Sequence, residues 1–134
     1  MPPADANRQK LTFPKRERVC SKQAFQQLIH ANQHHFRFPL KCYYIVYPSN
    51  EERSHSAIAI AVPKRVHKHA VARNRIKRLI RESWRRNHQA ALIGFNVCFD
   101  LLFVYVSKDI LPYSEMEKCM KELLRWLSKQ TKRS

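Results

Sequence analysis

The chain has 134 residues, of which 26 are Lys or Arg and 10 are Asp or Glu, for a formal net charge of +16. Its 44% apolar content suffices for the core of one domain without disulfides or structural metals, while so basic a surface requires a polyanionic partner. No apolar run approaches the ~18 residues of a membrane span, and Met1–Asn7 lacks the apolar stretch of a signal peptide, so a cytoplasmic protein with no membrane partner is expected.

Residues 1–10, which include Pro2 and Pro3, are expected to be disordered. Leu11–Pro14 can anchor the chain to the domain, and three basic residues follow at Lys15, Arg16 and Arg18. Ser21 is a candidate N-cap for a helix over Lys22–Ala31, with Phe25, Leu28 and Ile29 on its apolar face. Asn32–Pro39 reads as an aromatic linker, in which His34 and His35 are exposed loop residues without a third metal ligand; a short strand around Phe36–Leu40 stays open. Leu40–Tyr47 reads as a strand and Pro48–Glu52 as a turn. Ala57–Val62 alternates small and branched residues, so one face (Ile58, Ile60, Val62) should pack under helices while the alanine face stays shallow, open to a ligand or another element. Pro63 ends that strand.

Ten of the 23 residues from Lys64 to Arg86 are Lys or Arg, and only Glu82 is acidic. Val71/Ala72, Ile76, Leu79/Ile80 and Trp84 recur near a 3.6-residue period, predicting an amphipathic helix over Ala70–Arg86. Asn87–Gly94 reads as a short connection. Val97–Val106 reads as a buried strand with Asp100 near its start, where it would cap or pair with an arginine. Ser114 and Glu117 after Pro112 suggest a capping box for a last helix with Met116, Cys119/Met120, Leu123/Leu124 and Leu127 as its core stripe; residues 131–134 should fray. The order helix-strand-strand-helix-strand-helix, with room for one more strand, predicts an α+β two-layer sandwich forming a single domain over residues 11–130.

Cys20, Cys42, Cys98 and Cys119 lack the paired spacing of a zinc site, so reduced and mostly buried thiols are expected. No catalytic constellation is present. Ser56, Ser83 and Ser107 sit in no nucleophile elbow, and a single glycine cannot build a phosphate loop. What converges is phosphate binding: Arg73, Lys77, Arg81 and Arg85 repeat at i, i+4, with Asn74, Arg75 and Arg78 broadening the row. The predominance of arginine favours bidentate phosphate contacts and stacking on bases. DNA is not expected, because no helix-turn-helix, zinc finger or zipper is recognisable.

Val62-Pro63-Lys64-Arg65, followed by Ala70-Val71-Ala72-Arg73-Asn74-Arg75-Ile76-Lys77-Arg78-Leu79-Ile80-Arg81-Glu82, closely resembles the signature of the bacterial ribonuclease P protein component. Phe13-Pro14, Arg18, a helix holding Phe25, Asp100 in the late strand and a closing amphipathic helix agree in order, so the resemblance covers about residues 11–130. It implies a fold like ribosomal protein S5 domain 2, with a left-handed βαβ crossover. It also implies an accessory subunit of a ribonucleoprotein endonuclease that removes 5′ leaders from precursor tRNA. In that family the catalytic RNA and its Mg²⁺ ions carry out the hydrolysis, so no protein side chain is expected to be catalytic or to hold the metal. By position, contacts to ribonuclease P RNA would come from Lys64, Arg65, Lys68, Arg73, Asn74, Arg75, Lys77, Arg78 and Arg81. A concave face between the first helix and the sheet would take the single-stranded leader of precursor tRNA, through Phe25, through Ile29 where the family often has Phe, and through a strand tyrosine. Tyr43, Tyr44 and Tyr47 compete for that last position, with Tyr44 favoured. Ala59 and Asn32 stand where the family usually has glycine, and Asn32 must then accept any left-handed conformation. A ribosomal or other structural RNA-binding protein, and a self-sufficient nuclease, are the competing readings.

Overall fold

In a computed structural model, residues 22–49, 56–92 and 97–131 are described, the backbone alone for 22–25 and 131. The elements follow in the order α1 (Lys22–Ala31), β1 (His34–Arg37), β2 (Leu40–Pro48), β3 (Ala57–Ala61), α2 (Ala70–Leu92), β4 (Val97–Tyr105) and α3 (Tyr113–Thr131). The four strands form one sheet in the order β1-β2-β4-β3. β2 pairs antiparallel with β1 and β4, and β3 runs parallel to β4. A parallel pair needs a long crossover, which α2 supplies. The described residues form an α+β fold with a mixed sheet and three helices.

Strand alternation decides which side chains meet which helices. The register sets Cys42 opposite Phe103, Tyr44 and Ile58 opposite Leu101, and Ile60 opposite Phe103, so these share one face. With Leu40, Val62, Phe99 and Tyr105 they meet Ile76, Ile80 and Trp84 of α2, and Met116, Met120, Leu123, Leu124 and Leu127 of α3. Each such side chain stabilises the fold by roughly 1.5–3 kcal/mol on burial. The expected isoleucine face of β3 and the apolar stripe of α3 are both found in this core.

The second face carries Lys41, Tyr43, Ile45 and Tyr47 of β2, Ala57, Ala59 and Ala61 of β3, and Cys98, Asp100 and Leu102 of β4. α1 lies against β2 and β4. Its Leu28 is fully buried yet stands apart from the α2–α3 core, so α1 covers this second face. Helices therefore flank the sheet on both sides, which corrects the two-layer expectation. The reason lies in β4, whose side chains from Cys98 to Phe103 are all buried; a strand apolar on both faces needs a cover on each.

Local differences have local causes. His34 and His35 lie in β1, paired with Tyr43 and Cys42, rather than in a loop; the neighbouring strand satisfies their backbone. The hairpin turns at a cis Phe38–Pro39 bond. Asn32 has φ 53°, the left-handed conformation its position demanded. α2 continues past Arg86 to Leu92, because the side chain of Asn87 donates to the Ser83 carbonyl (2.7 Å) and to Glu117 (3.1 Å). His88 stacks on Trp84 (4.5 Å, 5°) and donates to its carbonyl (2.8 Å). Glu117 accepts from Tyr113 and Asn87, so it does not serve as the far half of a capping box. The Pro112 carbonyl instead accepts from the N–H groups of Glu115 and Met116. The expectations for residues 1–21, including the Ser21 cap, most of the 48–52 turn, Gly94 and the last three residues lie outside the described residues.

Candidate nucleic-acid interface

The basic surface is built from the loop after β3 and the outer side of α2. The Pro63 carbonyl accepts from the N–H groups of Val66 and His67 (3.2 and 3.1 Å), closing a turn that leaves Lys64, Arg65 and Lys68 exposed. His67 is buried, and its Nε2 donates to the Ser107 carbonyl just beyond β4 (2.9 Å). Arg73 reaches back from α2, and its Nη1 donates to the carbonyls of His67 (3.0 Å) and Lys68 (2.7 Å). The loop is thus tied to its own strand, to the end of β4 and to α2. Cations on a fixed backbone lose less entropy on binding than cations on a mobile one.

Burial of Ile76, Ile80, Ser83 and Trp84 sets the rotation of α2. Asn74, Arg75, Arg78 and Arg85 consequently face solvent, while Arg73, Lys77 and Arg81 are half-buried along one flank. Three of the four residues in the expected i, i+4 row, Arg73, Lys77 and Arg81, therefore form the border of the basic surface, and Arg78 lies nearer its centre. The first turn of α2 has no acidic residue, so its positive dipole end adds to the field. Glu82, the helix's one carboxylate, is bound by Arg85 (Nε–Oε2 3.1 Å). That hydrogen bond holds its carboxyl below the usual range. It neutralises Arg85, and the N-terminal half of α2 carries no acidic residue of its own.

The second feature is the half-open face beside α1. Ile29 is 46% exposed there, and Tyr43, Tyr47, Ala59 and Ala61 are partly exposed. Lys41 Nζ sits 5.0 Å from the centre of the Tyr43 ring, and the His34 ring lies 5.4 Å from the same ring, tilted by 52°. Phe25 lies in α1 by its backbone, but its side chain is outside the described residues. Tyr44 is on the opposite face. It pairs with Leu101, meets Trp126 edge-on (5.2 Å, 74°) and packs on the α2–α3 core, and burial pushes its phenol up. The register with β4 decides this, since a shift of one residue exchanges faces. Tyr43 and Tyr47 are the tyrosines on the α1 side.

His67 was not singled out by sequence reasoning, nor was the tether made by Arg73. Both depend on contacts that no local pattern encodes, His67 and Ser107 being 40 positions apart. Among the described residues no three His, Cys, Asp or Glu side chains gather as metal ligands, so the Mg²⁺ implied by the resemblance has no protein cage among them. No described helix is long and apolar enough to cross a membrane.

A family model described as Ribonuclease P matches residues 13–129. The chain is similar to the ribonuclease P protein component of Coxiella burnetii, 29% identical over 93 residues, 69% of this chain and 73% of that protein. It is also similar to that of Vibrio campbellii, 44% identical over 66 residues, and there it spans about half (49%) of the relative's length. The fold resembles the RNase P protein of Staphylococcus aureus, with a TM-score of 0.64 at 22% identity over 83% of this chain and 94% of that one. It likewise resembles that of Thermotoga maritima, with a TM-score of 0.66 at 18% identity over 82% and 96%. The signature lies within a family match that covers residues 13–129, and the fold agrees over most of the chain: the chain belongs to the bacterial ribonuclease P protein family.

Proposed function

We propose that this chain is the protein subunit of ribonuclease P, binding a catalytic RNA and assisting endonucleolytic removal of 5′ leaders from precursor tRNA in the cytoplasm. The observation that carries the reading is the N-terminal half of α2, acid-free and arginine-rich, joined to a loop whose cations stand on a pinned backbone. Lys64, Arg65, Lys68, Asn74, Arg75 and Arg78 contact phosphates of ribonuclease P RNA, with Lys77 and Arg81 at the border and Arg73 holding the loop. Hydrolysis is carried by the RNA and its Mg²⁺, with no catalytic side chain on the protein. The working unit is the single domain 11–130, of the ribosomal protein S5 domain 2 type, with a left-handed crossover from β3 through α2 to β4.

The leader of precursor tRNA lies on the face beside α1. Single-stranded RNA suits aromatic platforms, because every base has a π-face. Ile29 and Phe25 border this track from α1, and Tyr43, its ring backed by Lys41, serves as the strand tyrosine in place of Tyr44.

Reconstitution tests the proposal. Protein added to ribonuclease P RNA at low Mg²⁺ should restore cleavage of precursor tRNA. No stimulation refutes it and favours a structural RNA-binding protein, whereas cleavage without any RNA subunit favours a nuclease. With six or more phosphates neutralised, affinity for the RNA subunit should fall roughly a thousandfold between 50 and 200 mM salt.

A further inference from the structure

A second basic feature lies at the far edge of the sheet from the β3 side that α2 contacts. Between β1 and the C-terminal half of α3 is a cleft of about 360 Å³, lined by Arg37, Glu122, Arg125, Trp126 and Lys129. That is the size range of small-ligand sites. Its one acid is already engaged, since Glu122 Oε2 lies 3.4 Å from Arg37 Nε. Arg125 and Lys129 remain. They stand at i, i+4 on α3, hence side by side, and among the described residues neither has an ion-pair partner. Adjacent like charges on a helix are mildly destabilising, so an anion between them relieves a cost already present.

The cleft wall is held in place. The indole of Trp126 is stacked on His35 (4.1 Å, 9°) and braced by the edge-on Tyr44. A rigid wall beside two unpaired cations needs little reorganisation to accept a ligand. Arginine with lysine suits phosphate, which takes the guanidinium fork and a point charge together.

We propose that this cleft is a second phosphate-binding site, in which Arg125 and Lys129 hold a backbone phosphate of RNA beside Trp126 while the Arg37–Glu122 pair forms its rim. Strands about 4.8 Å apart put the β1 and β3 edges about 14 Å from one another. The cleft therefore engages a different RNA segment from the loop and helix at the β3 edge, and it reads backbone, not sequence. The choice of RNA as ligand rests on the proposed function.

Trp84 is fully buried while Trp126 lines the cleft, so acrylamide quenching of the full chain's fluorescence reports on Trp126. A saturating short oligouridylate should protect Trp126 in the wild type and in an α2 variant, R75Q/R78Q. In R125Q/K129Q, both at exposed positions, protection should vanish, and the slope of log affinity against log salt should flatten by about 0.7, the value for the one phosphate the pair holds. Unchanged protection or slope in R125Q/K129Q overturns the proposal. Equal protection by polyglutamate overturns RNA as the ligand and assigns the cleft to an acidic protein. Precursor-tRNA cleavage with ribonuclease P RNA separates the two readings. Wild-type stimulation beside an unchanged R125Q/K129Q slope removes the cleft alone; no stimulation removes the proposed function.

Discussion

Arg73 and Arg78 are equivalent cations in the basic run, but the structure gives them different work. Arg73 Nη1 donates to two carbonyls of the preceding loop, at 3.0 and 2.7 Å, whereas Arg78 is exposed. A hydrogen bond from a charged donor contributes about 1.5–3 kcal/mol when well buried. One of these is part-buried and the other exposed, so about 1–2 kcal/mol for the pair is the reasonable magnitude. Arg73→Gln should therefore lower unfolding stability by that amount and weaken RNA binding by loosening Lys64, Arg65 and Lys68. Because those cations remain, the slope of log affinity against log salt should change by well under 0.7. Arg78→Gln should do the reverse, leaving stability within about 0.5 kcal/mol and lowering the slope by about 0.7–0.9 for one lost phosphate contact. Urea unfolding and filter binding across a salt series measure both quantities on both variants. If Arg73→Gln lowers the slope as Arg78→Gln does and leaves the unfolding midpoint unmoved, Arg73 is a phosphate contact and the tether argument is wrong.

Tyr43→Ala should reduce the preference for leader-bearing over mature tRNA by about 1–3 kcal/mol, the value of one base–aromatic stack. Tyr44→Ala should lower stability and leave that preference intact, and equal preferences in the two variants would remove Tyr43 from the leader track. Burial and then Arg37 hold the imidazole of His35 below its usual 6.5. The unfolded chain thus takes up that proton first, and the contribution of His35, present above pH 6.5, is lost as pH falls through and below that value. The urea midpoint of the wild type should fall more between pH 7 and 5 than that of His35→Phe; parallel curves would show that His35 does not titrate in this way. Burial pushes the Cys119 thiol up to about 12 and raises Cys42 further, so a thiol reagent should reach these two only at the rate of unfolding. Fast modification of either in the folded protein would contradict their burial.

The parts of the fold that were legible in sequence are those with a strong local period. Ile76, Ile80 and Trp84 mark the buried stripe of α2, and Ile58 and Ile60, with Val62 just beyond the strand, mark the inner face of β3. What escaped was decided by partners distant in the chain. β1 exists because β2 pairs with it, although His34-His35 carries little strand signal of its own. Asn87 looked like a helix end, yet a carboxylate on α3, 30 positions away, helps keep it within α2. Tyr43 and Tyr44 are adjacent and chemically identical. Only the register against Leu101 and Leu102 separates the one facing α1 from the one beneath Trp126. For the candidate interface, residue types and spacing revealed the cations, while their division into exposed contacts, flank and tether needed the rotation of the helix.

That rotation also explains how the domain sustains so concentrated a charge. Arg73–Lys77, Lys77–Arg81 and Arg81–Arg85 are like-charge pairs at i, i+4, and Arg75–Arg78 and Arg78–Arg81 are pairs at i, i+3. At about 0.2–0.5 kcal/mol each, they oppose the helix by about 1–2.5 kcal/mol. Ile76, Ile80 and Trp84, all fully buried, stabilise it by roughly 1.5–3 kcal/mol apiece for side chains of this size. Packing therefore exceeds repulsion by a factor of about two or more, and α2 holds its shape before any RNA arrives. Glu82, hydrogen-bonded to Arg85, is the helix's one carboxylate, so most of the repulsion among the cations N-terminal to it persists in the free protein. A bound phosphate backbone removes it, and that relief adds to each contact's own attraction. The same charge density that slightly weakens the free fold would thus strengthen the proposed complex with RNA, and the apolar stripe is what lets one helix serve both roles.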